Sequence, residues 1–136
     1  MKIDLPNIAD QQLFVFQQAT RAAIGQLSAN LEAPRLPPQT MVDESQFSRA
    51  HLLREREGWE APAPEIVRAY LEHFQAHFPQ YDTDQALAAL LGLSDKRRIR
   101  AYKKGRESVP YGIWRHFLIL TGRAAQEITP VLAFMG

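Results

Sequence analysis

Residues 83–110 read Thr-Asp-Gln-Ala-Leu-Ala-Ala-Leu-Leu-Gly-Leu-Ser-Asp-Lys-Arg-Arg-Ile-Arg-Ala-Tyr-Lys-Lys-Gly-Arg-Glu-Ser-Val-Pro, and they decide the fold. Thr83 is a helix N-cap, because its hydroxyl can accept a hydrogen bond from an orphan backbone amide. Leu87, Ala88, Leu90 and Leu91 follow on one apolar face, and Gly92 breaks the helix after about two turns. Ser94 or Asp95 caps a second helix that turns Ile99 and Tyr102 inward and stops before Gly105, a residue suited to a left-handed backbone. Two short helices across a glycine-containing turn form a helix-turn-helix. Ala88 must be small where the helices approach, Gly92 permits the turn, and Leu93 plugs the junction. Ile99 and Tyr102 anchor the second helix, which leaves its other faces to Lys96, Arg97, Arg98, Arg100, Lys103 and Lys104.

The flanking sequence predicts more helix. Pro64 suits a first helical turn, and Val67, Tyr70, Leu71, Phe74 and Phe78 form a stripe that ends near Pro79. Pro110 opens a further helix with Ile113, Trp114, Phe117 and Leu118 inward. Gly122 ends it, and a last helix is expected from Ala124 through Phe134, interrupted or restarted at Pro130. Toward the N-terminus, Leu13, Phe16, Ala23, Ile24, Leu27 and Leu31 recur at spacings of three and four, the period of an amphipathic helix over residues 8–31. Pro34, Pro37 and Pro38 stop it. A shorter helix is expected over Asp43 to Glu57, and residues 59–64 (Trp-Glu-Ala-Pro-Ala-Pro) read as a stiff connector. No strand with convincing alternation appears after Pro64. The expected architecture is all-α: a helical extension over residues 1–60, then a bundle of about five helices over 61–136.

Charge is concentrated in the same place. The whole chain carries a formal +1, yet residues 94–106 hold seven of its sixteen Lys and Arg against one acid, a local +6 set against −5 elsewhere. Surplus positive charge gathered in one short segment points to a polyanionic partner. At 46% hydrophobic the chain is too apolar to be globally disordered, and zero cysteines exclude disulfides, thiolate metal sites and cysteine nucleophiles. No apolar run is long enough for a membrane span, and the N-terminus lacks the apolar core of a signal peptide, so a cytoplasmic location is expected.

The segment resembles the helix-turn-helix of the Cro/C1-type (XRE) transcriptional regulators, the lambda repressor-like DNA-binding domain. Their pattern, Thr-Gln-x-x-Leu-Ala-x-x-Leu-Gly-(Val/Leu)-Ser followed by an aliphatic, an aromatic and a glycine at intervals of three, is matched by Thr83, Leu87, Ala88, Leu91, Gly92, Leu93, Ser94, Ile99, Tyr102 and Gly105. Pro110 and Trp114 extend the match, which covers roughly residues 64–122. Two departures stand out. Asp84 occupies the usual Gln position, with Gln85 one residue late, and the interval from Ser94 to Ile99 is one residue longer. Asp84 is therefore read as favouring its own helix N-terminus rather than facing phosphate. The resemblance implies a lambda repressor-like bundle, a sequence-specific double-stranded-DNA regulator, and phosphate contacts from Thr83 and Gln85.

In such a motif the second helix enters the major groove with its N-terminal residues at base edges. Lys96, Arg97 and Arg100 are the expected base readers, with Arg98 able to serve as reader or phosphate contact. Lys103, Lys104 and Arg106, near the helix end, are expected at phosphates, with Arg115 a weaker candidate. Tyr102, Trp114 and Phe117 are expected in the core rather than on a base-stacking surface. His73 and His77 have the i, i+4 spacing of a zinc pair but lack the Glu of a metalloprotease helix and a third ligand. Neither metal, cofactor nor enzymatic activity is expected. A single such motif reads few base pairs, so a homodimeric repressor, cytoplasmic and nucleoid-associated, is the leading expectation. The alternative is the antitoxin of a toxin–antitoxin pair, with residues 1–60 binding a protein partner.

Overall fold

The structure, a computed structural model, describes residues 7–136. It is all-helical, with five α-helices and no strand among the described residues. They are α1 (Ile8–Asn30), α2 (Pro64–His77), α3 (Asp84–Leu90), α4 (Lys96–Lys104) and α5 (Tyr111–Leu120). Contacts divide the chain into two compact units. One is Pro38–Glu127; the other joins the N-terminal stretch up to Pro37 with Ile128–Gly136.

The larger unit is built around α2, whose Ile66, Val67, Tyr70, Leu71 and Phe74 are buried. Spacings of three and four place these residues on one stripe. Against them α5 sets Trp114, Phe117 and Leu118, with the Trp114 ring stacked on Tyr70 at 5.6 Å and on Phe117 at 5.5 Å. Between α2 and α3 lies a single 3-10 turn, Pro79–Tyr81, and α4 packs on both α2 and α3. Leu87, Ala88, Ile99 and Tyr102 are buried, so the anchors read from sequence do hold the α3–α4 pair.

Helix ends follow the sequence closely. Thr83 Oγ1 accepts the Ala86 amide at the start of α3. At its end Gly92 has φ +77°, and the Gly92 and Leu93 amides donate back to Ala89 and Ala88 at 3.2 and 2.8 Å, a Schellman closure. The same closure ends α4, with the Arg106 amide bonding the Ala101 carbonyl at 2.9 Å. Here Gly105 has φ +75°, and a Cβ on it would sit 2.7 Å from Pro64 Cγ at the start of α2. Left-handed strain and this clash together make Gly105→Ala cost about 2–4 kcal/mol, read as a lowered urea midpoint at unchanged slope.

Three expectations are corrected. Residues 43–57 form three separate 3-10 turns, Glu44–Gln46, Ala50–Leu52 and Glu55–Glu57, rather than one helix. Short polar side chains capture the backbone there: Asp43 takes the Ser45 amide and Ser48 the Ala50 amide. Second, residues 38–60, assigned to the N-terminal extension, belong to the larger unit, where they pack as a strap against α2 and α5. Trp114 Nε1 donates to His51 Nδ1 at 3.1 Å, Tyr70 donates to Glu44, and Arg54 and Arg56 both reach Glu127 at 3.0 Å. Third, residues 125–136 are not helical; Pro130 removes a donor and biases Thr129 toward extended backbone.

His51 is buried with its ring edge-on to Tyr70 and Trp114. Burial, helped by the charges of Arg49 and Arg123 and opposed by Glu44, holds its imidazole below the ordinary value of 6.5. The neutral ring is the form that accepts from Trp114. A histidine with a lowered native pKa binds fewer protons than its unfolded counterpart, so the stability it contributes is full above 6.5 and lost as pH falls through the native value. The urea midpoint is expected to drop between pH 7 and 5, and His51→Asn to flatten that slope. The neighbouring Tyr70 hydroxyl is pushed up to about 12, mainly by burial and then by its bond to Glu44, so it stays a donor.

In the smaller unit, Asn7 Oδ1 caps α1 by accepting the Asp10 amide at 2.8 Å. None of α1's 23 residues is buried. Leu13 is half-buried and Phe16 faces Phe134 of the C-terminal segment at 5.8 Å, while Ile8, Phe14, Val15, Ile24 and Leu31 are exposed. Asp10 and Arg21 are the only charged residues of this helix.

Candidate nucleic-acid interface

The basic segment folds as α4, and its orientation follows from the two buried residues. With Ile99 and Tyr102 inward, Arg97, Arg100 and Lys104, spaced by three and four, share the outward side. Lys96, Arg97, Arg98, Arg100, Lys104 and Arg106 are all exposed. Lys96, Arg98, Lys104 and Arg106 form no ion pair among the described residues. Asp95, rather than Ser94, is the N-cap: its Oδ1 accepts the Arg97 amide at 2.7 Å. Its other oxygen receives the Arg97 Nε and Nη2 at 3.1 and 2.8 Å. Those bonds hold the Asp95 carboxyl below the ordinary carboxylate value. The pair is solvated, with the Arg97 side chain 86% exposed, and so is weak and readily exchanged.

Lys103 is not the free phosphate contact expected of it. Its side chain is only 14% exposed, and Nζ donates to Asp84 Oδ1 at 2.8 Å and to Gln75 Oε1 at 2.7 Å. The reason is its place on α4: four beyond the buried Ile99 and next to Tyr102, it lies at the edge of the inward face and turns toward α2 and α3 instead of solvent. Gln75 Nε2 also donates to Asp84 Oδ1 at 3.1 Å, and Arg100 Nε lies 3.5 Å from Asp84 Oδ2. Asp84 is thus a hub joining α2, α3 and α4. Burial pushes its carboxyl up, but the bonds from Lys103 and Gln75, the charge of Lys103 and the Arg100 side chain outweigh that and hold it below the usual carboxylate value.

Gln85, expected at phosphate, turns its side-chain carbonyl to the start of α4 and accepts the Lys96 amide at 3.2 Å. Thr83 is exposed at the start of α3 with its oxygen committed to the cap. Arg115 faces the strap, donating to the Leu52 carbonyl at 3.3 Å. Sequence reasoning missed Gln75, although it falls in the inward row Val67, Leu71, Gln75, where a polar side chain needs a buried partner.

The arrangement is a helix with a cationic outer face, held by two apolar anchors and a three-helix polar clamp. His73 and His77 have their rings 4.5 Å apart, and no group of three or more potential metal ligands occurs among the described residues. No helix among them is long and apolar enough to cross a membrane. Comparison with protein-family models, with curated proteins and with solved structures finds no match for this chain. A functional reading therefore rests on α4 and its surroundings.

Proposed function

We propose that the chain is a sequence-specific, double-stranded-DNA-binding transcriptional regulator acting on the nucleoid in the cytoplasm, with α4 as the helix that enters the major groove. The observation that carries this reading is the outward side of α4, where Arg97, Arg100 and Lys104 stand exposed on a helix fixed from behind by Ile99, Tyr102 and Lys103. Arg97 and Arg100 read base edges, with Lys96 and Arg98 on the flanks. Lys104 and Arg106, at the helix end, hold phosphate. Two copies, joined through the exposed apolar residues of α1, would occupy two half-sites and block promoter access. The chain acts by occupancy and not by catalysis.

Selection from a random duplex pool, followed by anisotropy titration on the enriched sequence, tests this. A preferred duplex site is expected, and absence of any duplex affinity at low salt overturns the reading. Lys104→Ala and Arg106→Ala are each expected to weaken binding to all duplexes alike and to reduce the salt slope by about 1.

A second reading, the antitoxin role, is favoured by α1 itself, a 23-residue helix with no buried residue and two charges. Co-purification of a small unrelated chain, in place of self-association, selects it.

A further inference from the structure

An acid beside the bases of α4 weakens attraction to phosphate, and Asp84, the first residue of α3, is such an acid. It is immobilised from two directions. Its Oδ1 receives Lys103 Nζ from α4 and Gln75 Nε2 from α2, and its side chain is 19% exposed. That leaves Oδ2, which lies 3.5 Å from Arg100 Nε. Arg100 is itself half exposed, at 52%, on the same side of α4 as Arg97 and Lys104.

We infer that Asp84 is a specificity-determining positioning residue: anchored by Gln75 and Lys103, its carboxylate pairs with Arg100 on the Nε side and so favours the orientation that turns the end of that guanidinium to a guanine in the major groove. The inference rests on the DNA-binding reading above and adds to it which side chain makes the principal base contact and what prepares it.

The chemistry follows from the shape of the group. A guanidinium has a side edge, containing Nε, and an end edge made of its two terminal nitrogens. The end edge spans guanine O6 and N7 as a two-bond fork. A carboxylate at Nε takes the side edge and leaves the end edge to the ligand. A free arginine must lose rotamer freedom to dock in one geometry, whereas one paired with an immobilised carboxylate has less to lose.

The other exposed bases of α4 have no partner anchored from another helix. Asp95 bonds Arg97 more closely, at Nε and Nη2 (3.1 and 2.8 Å), but that acid is a solvated cap with no anchor outside α4. Lys96 and Arg98 have no carboxylate partner among the described residues. Arg100 alone is backed by a group tied to two other helices.

The test compares the native chain with Asp84→Asn on the selected duplex and on versions changed one base pair at a time. The native chain is expected to prefer guanine at one position by about tenfold or more. Asp84→Asn is expected to bring that preference below about threefold while binding to random duplex becomes tighter, because a negative charge has left the interface. Asp84→Asn/Lys103→Gln, which leaves no lone ammonium in the clamp, is expected to lose the preference equally. Arg100→Lys loses it too, and adding Asp84→Asn to Arg100→Lys costs nothing further.

If the native chain binds a preferred duplex and Asp84→Asn keeps the guanine preference, this inference is overturned and the DNA-binding reading stands. Uniformly weaker binding with unchanged base preference has the same meaning, since a merely structural role for Asp84 produces it. A native chain with no duplex affinity overturns both.

Discussion

Arg97→Ala/Arg100→Ala is expected to lower affinity for the selected duplex roughly a hundredfold, given about 1–3 kcal/mol for each bidentate base contact. Two effects add. The double variant removes both forks from the outward side of α4, and it leaves Asp95 and Asp84 without those counter-charges in front of phosphate. Helical content is expected to persist. Neither arginine is buried, Asp95 keeps its bond to the backbone amide of residue 97, and Asp84 keeps Lys103 and Gln75. A matched control is Arg54→Ala/Arg56→Ala, which removes the same charge from the pair that meets Glu127. Its expected effect is under about threefold, as for exposed charges away from an interface. Equal losses in the two variants would show a general dependence on net charge and sink the assignment of α4 as the reading helix.

The largest stability effect belongs to Trp114. It is 1% exposed, stacks on Tyr70 and Phe117, and donates its indole N–H to His51. Trp114→Ala is expected to cost about 3–5 kcal/mol through lost burial and the cavity left behind. Against a typical total of about 5–15 kcal/mol, that loss brings the fold close to its limit. Trp114→Phe separates the contributions: most of the ring remains, but His51 Nδ1 is left buried without its donor, at about 1–3 kcal/mol. Urea midpoints in the order native, Phe, Ala are the expected result. A Phe variant as stable as the native chain would show that the bond to His51 contributes nothing net.

Local rules carried the sequence reading as far as the helices that end on Pro, Thr or Gly. Pro64, Thr83, Gly92 and Gly105 each act within a few residues of themselves, and the structure places helix ends at all four. The burial of Ile99 and Tyr102 follows from the same periodicity. What stayed hidden involves partners distant in sequence. Lys103, four beyond Ile99, lies at the edge of the inward face, but the acid 19 residues before it and the glutamine 28 before that receive it are set by the packing of α2 and α3 and not by local spacing. Gln85 meets an amide 11 residues on, across the turn. His51 meets Trp114 over 63 residues, so the strap's neighbours in sequence point to the N-terminal extension while its contacts lie in the larger unit. In residues 43–57 a weak apolar pattern, Phe47, Leu52 and Leu53, lost to short polar side chains that close their own turns.

The strap also gives the molecule an internal reporter. The chain has two tryptophans, and both indoles end on one residue: Trp114 on the His51 ring and Trp59 on the His51 carbonyl at 3.2 Å. Lifting that single residue from its seat wets both fluorophores at once while α2, α4 and α5 keep their own hydrogen bonds. Emission and far-ultraviolet circular dichroism will therefore part company wherever the strap opens ahead of the helices, and coincide wherever the unit melts as one.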